Sequence, residues 1–134
     1  MTDLDEIIEV VPGRTVTAIR HVPQTLEVFA THFPLFPVLP GVLILDDLVQ
    51  VARLALQGVA RIGHPPVDRW ELAGAGRIRY RHFVQPGDSM EITVRVTGVD
   101  DVSATCQGTV RVDGRPVTIA NELVLRPMIG AGAA

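Results

Sequence analysis

Lysine is absent from this chain: all twelve basic side chains are arginine. Chemistry through a Schiff-base lysine is therefore excluded, and the bias reads as high-GC codon usage. Cysteine occurs once, at Cys106, which rules out an internal disulfide and a cysteine-rich metal site. A small buried hydrophobe is the ordinary reading of such a residue. Positive charge is in deficit, at a formal net charge of −3, which argues against a general nucleic-acid binder. The longest apolar run, residues 42–45, stops at Asp46 and Asp47, far short of the ~20 residues of a membrane span. Residues 1–6 are acidic where a secretory leader needs a basic flank, so the sequence predicts a cytoplasmic protein. No glycine-rich phosphate loop is present, and His21, His64 and His82 lack metal-ligand spacing. Neither a metal nor a redox cofactor is implied.

What remains is an apolar chain of 134 residues, the length of one domain. With glycine counted among the apolar residues their share is about 55%, against roughly 45–50% in typical soluble domains. Disorder is excluded, and the surplus exceeds what a small domain easily hides, which suggests a partner subunit. Turn signals at Pro12-Gly13, Pro86-Gly87, residues 98–101 and Asp113-Gly114 separate β-type segments at 7–11, 15–22, 77–83, 90–97, 102–112 and 115–125. Residues 42–60 break the pattern, with strong helix formers and no proline. Asp46, Gln50, Arg53 and Gln57 fall on one stripe of that helix, and nearly everything else on it is apolar. One covered helix with about six strands predicts an α+β domain whose sheet wraps the helix. A second short helix is allowed near residues 24–30, and Trp70 is expected to pack under the loop 61–69.

The chemistry gathers at the start of the long helix. Three prolines and a glycine shape the loop His32-Phe33-Pro34-Leu35-Phe36-Pro37-Val38-Leu39-Pro40-Gly41 directly before it. The Gly41 amide lies at the helix N-terminus, where unpaired N–H groups and the dipole favour developing negative charge, such as that on a thioester oxygen. His32 titrates near neutrality and Asp46 places a carboxylate on an apolar helix. Together they are the parts needed to take a proton from carbon and give one to a leaving hydroxyl. Equally, His32 can cap the loop, and Asp46 can bond Gln50 or Arg53 along its stripe.

The stretch resembles the signature of the 3-hydroxyacyl-ACP dehydratases, a hot-dog-fold family. Their His-Phe-Pro, Pro-Val and Pro-Gly-Val-Leu elements match His32-Phe33-Pro34, Pro37-Val38 and Pro40-Gly41-Val42-Leu43 in register. The family acid falls on Asp46 and the glutamine that follows it by four on Gln50. Residues 78–88, ending Pro86-Gly87-Asp88, are similar to the family's basic-aromatic strand. The resemblance implies that His32 is the base, that Asp46 protonates or orients the leaving hydroxyl, that the Gly41 amide binds the thioester carbonyl, and that Pro40 and Gln50 support them. It further implies an acyl carrier protein as partner, and a homodimer whose sites each take histidine and acid from opposite subunits, with a trimer of dimers as a larger assembly.

The chain also differs from that family. The acid is Asp46 rather than the usual Glu, as in the dehydratase-isomerase branch; Phe36 and Thr31 replace a histidine and a glycine; and the usual Tyr-Pro-Phe-Leu-Leu-Val-Asp stretch does not precede the first strand. A specialised dehydratase of polyketide or secondary lipid synthesis fits these differences. Asp47 lies about 100° around the helix from Asp46, and is expected either to stand in as the acid or to pair with a neighbouring subunit. Arg77, Arg79 and Arg81 alternate, so they are expected on one strand face, as a candidate contact for an acidic carrier protein or as a plain solvated face. Rival readings on the same fold are a thioesterase and a non-catalytic subunit.

Overall fold

The computed structural model describes residues 4–23, 38–57, 59, 67 and 69–128. In chain order these form β1 (Glu6–Val11), β2 (Thr15–His21), α1 (Gly41–Leu56), β3 (Arg69–Tyr80), β4 (Ser89–Val99), β5 (Ala104–Val112) and β6 (Arg115–Met128). The strands make one antiparallel sheet in the order β1-β2-β4-β5-β6-β3, with α1 packed against β2, β3, β4 and β5. The expected α+β arrangement, a sheet wrapped on one helix, is the one found.

Alternation explains which side chains meet the helix. Val16 and Ala18 on β2, Met90, Ile92 and Val94 on β4, and Cys106 and Val110 on β5 recur at every second position and are fully buried. They face Leu48, Val51, Ala52, Ala55 and Leu56 of α1, also fully buried. Each large side chain so covered contributes roughly 1.5–3 kcal/mol of transfer free energy. The polar stripe of α1 lies on the opposite side: Asp46 and Gln57 are exposed, Gln50 and Arg53 half-buried.

The Asp113-Gly114 hairpin forms as expected, both residues adopting positive φ (52° and 78°). Several boundaries shift by one to three residues, and two differ by more. The helix ends at Leu56, because Gln57 turns extended (φ −61°, ψ 128°). More consequentially, β3 begins at Arg69, well before the expected residue 77. Its middle, Ala73-Gly74-Ala75-Gly76, has little intrinsic strand preference, and pairing with β6 from Arg69↔Met128 to Tyr80↔Thr118 supplies what propensity does not. Trp70 is accordingly a strand residue, 4% exposed. The segment 24–30, allowed as a second helix, lies outside the described residues.

Candidate active site

The site is built around the first turns of α1. Pro40 is the N-cap and Gly41 the first helical residue. Proline suits this position, having no N–H to leave unpaired. The Pro40 carbonyl accepts from the amides of Leu43 (3.0 Å) and Ile44 (3.3 Å). The Gly41 and Val42 amides have no acceptor among the described residues, so both keep donor capacity at the positive end of the helix dipole.

The segment after β3 ties this entry down. The Leu39 amide donates to the carbonyl of buried Val84 at 2.7 Å. Tyr80, the last residue of β3, donates from its hydroxyl to the Gly41 carbonyl at 3.1 Å. Its ring lies so close that a β-carbon on Gly41 would stand 2.9 Å from Cζ and 3.0 Å from Cε1. A side chain at 41 would therefore have to displace the Tyr80 ring. Partial burial pushes the Tyr80 phenol above its usual range, so it stays a protonated donor at neutral pH.

Asp46 lies one turn below Val42, exposed, and accepts from Gln50 Nε2 at 3.1 Å. The Asp46–Gln50 bond allowed by their spacing is therefore present, and Arg53 is not involved. Its Nε instead donates to the Trp70 carbonyl at 2.7 Å, linking α1 to β3. Asp47 is fully buried, and both of its oxygens accept from Arg20 Nη1 on β2 at 2.7 Å. This corrects the expectation of a partner in another subunit: the arginine comes from the same chain. No local pattern points to it, because Arg20 lies 27 residues away on a strand whose other inward positions are apolar.

Arg77, Arg79 and Arg81 are all exposed. Arg77 and Arg79 keep the strand's alternation of exposed and half-buried positions, Arg77 in left-handed backbone (φ 55°), while Arg81 lies beyond the end of β3. Cys106 is buried, and its thiol is pushed up to about 12 by desolvation, as suits an inert core residue. His32 lies outside the described residues, so the structure places Pro40, Gly41, Asp46 and Gln50 together without it. Tyr80 is the residue that sequence reasoning missed. Its only signal was its place in the basic-aromatic strand.

A sheet wrapped on one long helix, entered through a Pro-Gly turn, defines a hot-dog domain. The family model of the ApeI-like dehydratases matches residues 9–113. The 3-hydroxyacyl-[acyl-carrier-protein] dehydratase FabZ of Enterococcus faecalis is 34% identical over 127 residues, 95% of this chain and 86% of that protein. The enzyme of the same name from Oenococcus oeni is 32% identical over 126 residues, 93% of this chain and 88% of the relative. Among solved structures, the dehydratase heterocomplex ApeI:P from Xenorhabdus doucetiae superposes with a TM-score of 0.68 at 20% identity, covering 93% of this chain and 100% of that one. A Streptococcus mutans protein bound to acetyl-CoA superposes at 0.71 and 14% identity, covering 92% and 87%. The chain belongs to the ApeI-like dehydratase family. It is a hydro-lyase of the hot-dog fold.

Proposed function

We propose that the protein removes water from a 3-hydroxyacyl thioester carried on an acyl carrier protein, giving the trans-2-enoyl thioester. The observation that carries this reading is an exposed carboxylate, Asp46, one turn below the amides that open the helix and that have no acceptor among the described residues. In the reaction His32 takes the proton from C2, next to the thioester carbonyl. The Gly41 amide stabilises the negative charge that gathers on the carbonyl oxygen. Asp46 protonates or orients the C3 hydroxyl, which leaves as water with the proton taken from C2 while the C2–C3 double bond forms. Gln50 holds the carboxylate in place, and Pro40 fixes the turn that aims the amide. No metal or redox cofactor takes part in this reading.

His32 and Asp46 of one site come from opposite subunits of a homodimer. What supports a dimer is β3, a 12-residue strand that has β6 on one side and forms an edge of the sheet. The exposed Arg77, Arg79 and Arg81 are the proposed landing point for the acidic carrier. Among the described residues no helix is long and apolar enough to cross a membrane, and the cytoplasm is the proposed compartment.

The test is incubation with a 3-hydroxyacyl thioester while enoyl absorbance and free thiol are followed together. Enoyl formation without thiol release is expected. Thiol release would instead identify a thioesterase, and no turnover a non-catalytic subunit. His32→Gln and Asp46→Asn should each lower kcat by about 10²–10⁴, and enoyl formation surviving both changes would overturn the assigned roles.

A further inference from the structure

The Tyr80–Gly41 contact is specific in a way the proposed mechanism does not use. The hydroxyl of Tyr80 meets a carbonyl that also lies in the first turn of α1, where the helix's own ladder already draws on it. The Gly41 carbonyl and the Val42 amide are two ends of one planar peptide. Whatever fixes the carbonyl therefore fixes the direction of the Val42 N–H. A hydrogen bond accepted at the carbonyl also polarises the peptide and strengthens its N–H as a donor. Val42 is four residues before Asp46, so it stands directly above the carboxylate on the same helix face. By contrast, Gly41 is about 140° around the helix from Asp46.

We infer that Tyr80 is a positioning residue for the dehydration, holding the Gly41–Val42 peptide so that the Val42 amide joins the Gly41 amide in binding the thioester oxygen. The inference rests on the proposed dehydratase reading and adds to it a second donor and the side chain that aims it. Three observations on the structure converge on it. The hydroxyl bond is 3.1 Å long, both amides are unpaired among the described residues, and the ring occupies the space of a Gly41 side chain. Because the phenol stays protonated through the neutral range, the bond persists wherever His32 can act as a base.

Tyr80→Phe removes the hydroxyl alone. It should lower kcat about ten-fold, the most that one neutral hydrogen bond commonly supplies, with KM, pH profile and thermal midpoint close to those of the unaltered protein. A purely structural role would move the thermal midpoint and spare kcat. Gly41→Ala should also be impaired, because its β-carbon meets the ring. In a Tyr80→Ala background that crowding is relieved, so the double variant should be no slower than Tyr80→Ala alone. Wild-type kcat in Tyr80→Phe, or losses that simply add in the double variant, would overturn the inference and leave the dehydratase reading standing. An unaltered protein with no enoyl formation would remove that reading and the inference with it.

Discussion

Asp46 and Asp47 are adjacent in sequence, yet one carboxylate faces solvent beside Gln50 and the other is fully buried against Arg20. The turn of about 100° between successive helical residues is enough to separate a candidate acid from a structural ion. Cys106 illustrates the same point for a nucleophile. Sequence reasoning favoured a buried hydrophobe, and the structure buries the thiol and raises it to about 12 from the ordinary 9.0. Alkylating reagents at pH 8 should therefore leave the folded protein unmodified and label it promptly in denaturant, as mass spectrometry would register. The linked effect on stability has a definite sign. Below pH 9 the thiol is protonated in both states, so its burial costs nothing that pH can change. Between pH 9 and about 12 the unfolded chain releases the proton while the folded one keeps it, so stability falls as pH rises.

Among the elements, α1 and β2 are joined by the Arg20–Asp47 pair, with side-chain exposures of 10% and 0%. Removing either partner takes this counter-charge away from a charge that stays buried. Arg20→Met or Asp47→Leu should each cost about 3–5 kcal/mol in denaturant unfolding, whereas the two together should recover most of that loss. Equal losses in the single and double variants would mean that the site cannot repack with apolar side chains. The strand β3 is the element that the sequence described least well. Alanine and glycine carry no pattern of burial, so its first eight residues became legible only through their pairing with β6. The hairpin at Asp113-Gly114 was legible in full, because its turn geometry depends on local residues.

For the whole molecule, the proposed dimer makes a quantitative prediction that no single chain can satisfy. If each site takes His32 from one subunit and Asp46 from the other, mixing inactive His32→Gln and Asp46→Asn chains under exchange should regenerate wild-type sites. Random pairing restores about one quarter of full activity, since half the dimers are mixed and one of their two sites is intact. Sites contained within single chains would stay inactive in every mixture. The apolar surplus of the sequence is consistent with a seam of this kind, and residues such as Phe83 and Val42 remain about 70% exposed in the isolated chain.

Taken by itself, the sequence determined the class of fold, the long helix with its polar stripe, and the positions of Pro40, Gly41, Asp46 and Gln50 around the helix start. Those features depend on periodicity and on short-range order, which a chain carries in its spacing. Only the tertiary structure decided that Arg20 answers Asp47 and that Tyr80 reaches Gly41, 39 residues away. Both contacts are made where strands return to the helix, and neither partner has a local neighbour that foretells the other. Sequence spacing sets which face a residue occupies, while the return of distant strands sets what that face meets.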